Sequence, residues 1–300
     1  MDGILIVDKP GGPTSHDVVA RIRRIFGVKR VGHTGTLDPF ATGVLVVLIG
    51  QATRLLRFFE KDKKEYEAII RFGAETDTGD LTGRAISKSK TEEEITQILQ
   101  QADWYGLAAK FRGKIKQMPP MYSAKKIAGQ KLYELARSGI EIQRPAVEIT
   151  IDEISLTPMV ADRCTPEAEL RVRCSAGTYI RTLAEEIGRA VGIGAHLSSL
   201  RRTRAGSFSL QDAVRMEILT AAREPARFVR PMEEAVKHLP LFQLEPNRVA
   251  PTRSGMPTRA ILDAFAADEW IRMIDQDGRL VALRRFDANE KLVRPRIVFN

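Results

Sequence analysis

The sequence predicts an α+β protein, a mixed sheet flanked by helices and followed by a small C-terminal β module. Three observations lead there. Several runs alternate with the period of two expected of a half-buried strand, among them "EYEAIIRF", "AVEITIDEI" and "AELRVRC". Other stretches carry apolar stripes of helical period, and no internal repeat stands out. The tail reads as two strands around an Asp-Gly turn, "WIRMID-QDG-RLVALRRF".

In chain order, "GILIVDK" reads as a short buried strand closed by the turn "PGGPT". Pro13 precedes a helix with Thr14 and Asp17 at capping-box spacing. Val18, Val19, Ile22, Ile25 and Phe26 form its apolar stripe, and Gly27 stops it. Arg21, Arg23 and Arg24 fall off the stripe, toward solvent or a ligand. After "GHTGTLDPFATG" (32–43) come an apolar strand from Val44 to Ile49 and a helix through Leu55, Leu56 and Phe59. The next strand places Tyr66, Ala68, Ile70 and Phe72 on one face. "GAETDTGDLTG" (73–83) lacks the spacing and closing Glu of a calcium loop and reads as a polar loop.

A helix is expected near Glu92 to Gln101, then two adjacent prolines and a basic loop before a helix ending at Gly139. "SAGTYIRTLAEEIGRAVG" turns from a strand into a helix with Ile180, Leu183, Ile187 and Val191 on one face. Recurring prolines from Leu239 to Pro257 suggest a linker or an irregular crossing, and "KLVRPRIVF" a closing strand. A module of about 60 residues is small for independent stability, so it should pack on the main body.

The length of 300 residues suits two domains, or one large domain with an appendage. No apolar run approaches the roughly 18 residues of a membrane span. The N-terminus lacks a secretory signal, so a cytoplasmic protein is expected. Cys164 and Cys174 lie ten apart without a CxxC pair, which suggests neither a zinc site nor a disulfide framework. The net charge of +9 points to an anionic partner, nucleic acid first. Its basic residues gather in "RIRRIFGVKR", "KDKK", "SAKK" and "LRRTR", the several patches typical of a phosphate-contacting surface.

The run "GHTGTLDPFATG" places one carboxylate, Asp38, among glycines and threonines. It lacks the Lys of a Walker loop. His33 and Asp38 are too few to hold a metal, and no paired carboxylate suits glycoside hydrolysis. Alone, the run is as compatible with a structural turn as with a site.

Together with "KEYEA", "GTYIRTL" and "HLSSLRRTRAG", this run closely resembles the TruB family of tRNA pseudouridine synthases. "ILIVDKPGGPTSHDVV", "GAETDTGDLTG" and "QMPPMYSAKKIAGQKLYELARSGIE" extend the resemblance over most of residues 3 to 206. It implies a pseudouridine-synthase fold, with a mixed, largely antiparallel sheet flanked by helices. A catalytic domain would span residues 1–238, with an RNA-clamping insertion at about 113–144. The tail, 239–300, resembles a PUA-like RNA-binding domain, more in pattern than in residues.

The implied reaction is isomerisation of uridine 55 in the T-loop of tRNA, without a cofactor or metal. Asp38 matches the catalytic aspartate, and three first steps stay open to it: attack on ribose C1′, addition to uracil C6, or removal of the C2′ proton. Arg181 matches the arginine that pairs with this acid, and Tyr66 the tyrosine that stacks on the base. Tyr179 and Leu200 match residues lining the uracil pocket, and His33 one that contacts the flipped nucleotide. Lys125 and Lys126, in the insertion, and Arg201, Arg202 and Arg204 are expected RNA contacts. The partner implied is the T arm of tRNA, met by a monomer with no obligatory protein partner. Two rivals are the guide-RNA-dependent H/ACA branch, and an RNA-binding or RNA-folding module with secondary catalysis.

Overall fold

In the computed structural model, which describes residues 1–300 apart from 89, 124, 128, 141, 160–165, 260–268, 286–291, 294 and 300, the main sheet is mixed. The chain opens with β1 (Gly3–Lys9), α1 (Ser15–Phe26), β2 (Val31–His33) and β3 (Thr42–Ile49). A 3-10 helix (Gly50–Phe59) leads to β4 (Lys64–Phe72), the hairpin β5 (Ala74–Thr76) and β6 (Ala85–Lys88), then α2 (Glu92–Gln101) and α3 (Trp104–Lys110). Strand β7 (Gly113–Gln117) precedes a small hairpin of β8 (Lys126–Ile127) and β9 (Gln130–Lys131), and helix α4 (Leu132–Arg137). Next come β10 (Val147–Met159), β11 (Glu167–Cys174), α5 (Ile180–Val191) and β12 (Ala195–Ala205). Short pieces follow: β13 (Phe208–Ser209), β14 (Val214–Arg215) and α6 (Met216–Ala221). The C-terminal part holds β15 (Leu241–Gln243), α7 (Pro246–Arg253), β16 (Thr258–Arg259), β17 (Trp270–Ile274), β18 (Leu280–Arg285), β19 (Leu292–Val293) and β20 (Ile297–Val298).

The main sheet runs β14-β1-β3-β12-β4-β11-β10-β7, with β2 beside β3 and β13 beside β12. Its neighbours pair antiparallel except β1 with β14 and β3 with β12. The continuous apolar runs of β1 and β3 follow from burial on both faces. Leu5, Val7, Leu45 and Val47 pack toward α1 and α6. Ile4, Ile6, Val44 and Val46 pack with Leu55 of the 3-10 helix and with Leu283 and Phe299 from the C-terminal part. Beyond β12, helices α2, α3 and α5 cover one face through Ile95, Leu107 and Leu183.

Helix α1 begins where its capping box predicts: Asp17 N–H donates to Thr14 Oγ1 at 3.1 Å, and Thr14 N–H to Asp17 Oδ2 at 2.8 Å. Two segments depart from expectation, and a third, residues 196–206, shows no clear period in the sequence. Residues 73–83 are not a plain loop but lie in the β5–β6 hairpin, whose turn closes over a buried Asp80. Thr78 and Thr82 satisfy that carboxylate locally, which is why so polar a stretch can be buried. "HLSSLRRTRAG" is a central strand, β12, whose register slips at Leu197/Ser199 and Arg202/Arg204 and so breaks the alternation. The proline-rich stretch after Leu239 holds a parallel strand and a helix, with Pro246 in the first turn, where no N–H donor is required.

Strands β15, β17, β18 and β20 make a second sheet. Its own buried cluster, among the described residues, is only Leu244, Met273, Val281 and Ala282. Ile274, Leu280, Leu283, Ile297 and Phe299 instead share one apolar cluster with β1 and β3. Cys164 and residues 260–268 of the tail lie outside the described residues.

Candidate active site

The loop between β2 and β3 is strapped down by three buried side chains. Ser15, at the first turn of α1, accepts from Leu37 N–H at 2.9 Å and donates to Leu37 O at 3.0 Å. Lys9, at the end of β1, donates to Pro10 O, Pro39 O and Ala41 O at 2.9, 3.1 and 2.7 Å. Arg202 of β12 reaches Val44 O at 2.7 Å and Gly35 O at 3.0 Å. Gly43 permits that approach: its φ is +102°, and a Cβ there would stand 2.2 Å from the Arg202 carbonyl oxygen. The loop's carbonyls are thus turned onto cations, and the backbone beside Asp38 is held from both sides.

Asp38 projects from this loop toward Arg181, the second residue of α5. Arg181 Nε lies 2.9 Å from Asp38 Oδ2 and Nη2 lies 3.2 Å from Oδ1, a forked contact. The remaining donors go to Thr78 O at 2.8 Å and Tyr122 O at 2.7 Å, and Asp80 Oδ2 stands 3.9 Å from Nη1. The guanidinium is buried, so it needs every one of these partners. Gly79 lets the hairpin reach in: its φ is +73°, and a Cβ would meet Glu185 Oε1 at 2.5 Å.

Burial pushes the Asp38 carboxyl above the ordinary carboxylate range; Arg181 opposes this, and the Asp80 carboxylate adds to it. Burial likewise pulls Lys9 down to about 8 and holds the phenols of Tyr66 and Tyr179 above their usual value. His33 is pulled down to about 4, by burial first and then by His16 and Arg202, so it is neutral at pH 7.

A cavity of about 400 Å³ opens on one side of the Asp38–Arg181 pair. Tyr66, Tyr179 and Leu200 line it with Lys64 and residues 34–36. A second cavity of about 570 Å³ shares Asp38 and Arg181 and continues past His16, Phe40 and Tyr122. The first is lined by both phenols together with the Asp38 and Glu60 carboxylates.

Asp38, Arg181, Tyr66, Tyr179 and Leu200 therefore meet at one cavity. His33 lines neither cavity; its ring stands edge-on to His16, centroids 5.4 Å apart. Of the basic strand only Arg202 turns inward, while Arg204 is exposed and Arg201 half-buried. Arg202 is buried against the loop, Arg201 pairs with Asp8 at 2.9 Å, and Arg204 with Glu65 at 3.3 Å. Lys125 is half-buried outside both cavities, and the Lys126 side chain lies outside the described residues. Lys9, Ser15 and Asp80 carry roles that the sequence reading did not assign. Among the described residues, no three His, Cys, Asp or Glu side chains gather as a metal site. No helix among them is long and apolar enough to cross a membrane.

Residues 23–180 match the TruB family pseudouridylate synthase N-terminal domain, and residues 181–237 the tRNA pseudouridylate synthase B C-terminal domain. The chain is 41% identical to tRNA pseudouridine synthase B of Heliobacterium modesticaldum, over 100% of its own length and 96% of that protein's. It is 38% identical to tRNA pseudouridine synthase B of Geobacillus thermodenitrificans, over the full length of both. Among solved structures it is similar to a chain of an H/ACA ribonucleoprotein bound to a substrate RNA containing 2′-deoxyuridine. That likeness has a TM-score of 0.67 and 26% identity, covering 99% of this chain and 85% of the other. A chain of a Cbf5-Nop10-Gar1 complex is similar at 27% identity and the same TM-score, covering 99% of this chain and 84% of that one.

Proposed function

The chain belongs to the TruB family of pseudouridylate synthases, and on that premise we propose that it isomerises uridine 55 in the T-loop of tRNA to pseudouridine, with Asp38 as the catalytic carboxylate. The observation that carries this is the forked Asp38–Arg181 contact at the floor of a cavity walled by Tyr66, Tyr179 and Leu200. A uridine stacked in a folded arm cannot reach that floor, so it is flipped out at a cost of a few kcal/mol. Tyr66 and Tyr179 then flank the ring, and Leu200 closes the cavity. Arg181 opposes the rise that burial imposes on the acid and aims its carboxylate, while its other partners keep Arg181 from following the substrate.

Isomerisation breaks the bond from C1′ to N1, turns the base in place, and joins C1′ to C5; the C5 hydrogen leaves as a proton and N1 gains one. Small Gly and Thr residues around Asp38 leave room for that turn. The loop, strapped by Lys9, Ser15 and Arg202, holds the carboxylate still while the base moves. The phenols are protonated at neutral pH, burial raising their pKa further, and can serve as hydrogen-bond donors to the base. We place the protein with its tRNA substrate in the cytoplasm, acting as a monomer without a protein partner. Residues 1–238 would carry catalysis and 239–300 would add RNA affinity.

The test is release of tritium from C5-labelled uridine in tRNA, with the product mapped at position 55. Wild type is expected to release it, and Asp38→Asn to lose release entirely; equal release by both would overturn the assignment. The likeness to H/ACA chains favours one rival mode, guidance by a separate RNA. That mode predicts no release from bare tRNA, so the same assay decides between them.

A further inference from the structure

The cavity beside Asp38 is lined by three cations, and two of them spend their guanidiniums on the protein. Arg181 gives its N–H groups to Asp38, Thr78 O and Tyr122 O. Arg202 gives its own to the carbonyls of Val44, Thr36 and Gly35. Lys64 differs. It is 9% exposed and lines the same cavity. Among the described residues, its Nζ donates only to Asp62 O, at 2.5 Å, and forms no ion pair within 4 Å. An ammonium carries three donors, so two remain for whatever enters the cavity.

A buried charge with unspent donors is costly unless a partner arrives. Burial indeed pulls Lys64 below the usual lysine range, with the nearby Asp62 carboxylate opposing. The position suits an anion carried by the nucleotide. Lys64 lies two residues before Tyr66 on β4, so the two share a face about 7 Å apart along the strand. With the ring against Tyr66 and the ribose at Asp38, that offset is on the scale separating a base from its own phosphate.

Resting on the tRNA reading above, we propose that Lys64 is a phosphate-binding residue whose ammonium receives a non-bridging oxygen of a phosphodiester adjoining the target uridine. It would seat the flipped nucleotide by its backbone while the phenols hold the ring. A uracil carbonyl is the other acceptor such an ammonium could meet, and the experiment separates the two.

The test is a binding cycle with a T-arm stem-loop carrying a neutral methylphosphonate on either side of the target uridine, one linkage at a time. Wild type should lose about tenfold in affinity at one of the two linkages, and Lys64→Met about as much on native RNA. Lys64→Met should lose nothing further at that linkage, and its affinity should fall less steeply with salt, by about one phosphate contact. Lys64→Arg should recover part of the affinity, and matching melting curves would establish that each variant folds. Additive losses at both linkages with an unchanged salt slope would overturn the proposal, whether Lys64 meets a carbonyl or merely packs. If wild type neither binds the stem-loop nor releases tritium, the tRNA reading falls and takes this one with it. If wild type is active and the losses add, only the role of Lys64 is wrong.

Discussion

The hydroxyl of Ser15 is bonded twice to the backbone of Leu37, accepting from its N–H at 2.9 Å and donating to its carbonyl at 3.0 Å. Ser15 is buried at the start of α1, and Leu37 immediately precedes Asp38. One side chain therefore ties the first helix to the residue before the acid. Ser15→Ala leaves a buried N–H and a buried C=O unpaired, a cost of about 1–3 kcal/mol for each unsatisfied group. The expected outcome is a lower melting temperature together with a fall in kcat that exceeds any rise in KM. A variant that melts lower but keeps full kcat would mean that Lys9 and Arg202 hold the loop unaided.

Burial raises the pKa of Asp38 most, and the like charge of the nearby Asp80 carboxylate raises it further. Asp80→Asn removes a negative charge, so the Asp38 carboxyl should ionise at lower pH than in wild type. The acid limb of kcat/KM against pH should move down accordingly. Activity at neutral pH should still fall, because Arg181 loses a partner that fixes it. An acid limb that does not move would show that Asp38 does not feel Asp80.

The same shift makes a stability prediction with a definite sign. The folded-state pKa of Asp38 lies above its ordinary 3.8. Its contribution is thus fully present below about 4 and is lost as pH rises through the folded value. Asp38→Asn mimics the protonated form, while Arg181 keeps Asp80 and two carbonyls. This variant should melt at or above wild type at pH 7, with the difference closing toward pH 4. A lower melting temperature at pH 7 would mean that the ion pair is a net source of stability.

Lys9 closes the other end of the pH range. Its ammonium holds three carbonyls, and burial brings its pKa to about 8. Above that pH the amine has one donor fewer than the carbonyls require, so kcat/KM should decline on the alkaline side near pH 8. Lys9→Met, which strands all three carbonyls, should lose about 3 kcal/mol or more of stability and most activity. A pH profile flat to 9.5 would separate Lys9 from the loop's function.

Much of this arrangement was legible in the chain because local chemistry and the fold agree. Thr14 and Asp17 mark the start of α1, the alternation through Tyr66 marks β4, and "GTYIR" marks the turn into α5 that presents Arg181. What stayed hidden depends on contacts distant in sequence. Lys9 looks like a solvated charge ending an apolar strand until the loop 30 residues later is laid over it. Asp80 looks like a loop acid until α5 brings Arg181 beside it. Arg202 looks like an RNA contact because two bulges in β12 disguise which of its side chains point inward. In each case the charge was visible and its direction was not.

The C-terminal module is predicted to act on the whole fold as well as on RNA affinity. Trp270 meets Phe58 edge-on, ring centroids 5.2 Å apart, and Arg57 lies over its ring at 4.9 Å. Arg54, also from the 3-10 helix, stacks on Phe299 and donates to the Val298 carbonyl. Beneath these contacts, Leu283 and Phe299 bury the outer face of β1 and β3, the strands that carry Lys9 and frame the Asp38 loop. Trp270→Ala should cost about 3 kcal/mol and lower the melting temperature by roughly 5 °C. The variant should melt in one transition, because the module's own buried cluster, among the described residues, is too small to unfold separately. Two separated transitions, with the catalytic part unmoved, would instead make the module an appended RNA-binding unit with no share in holding the site.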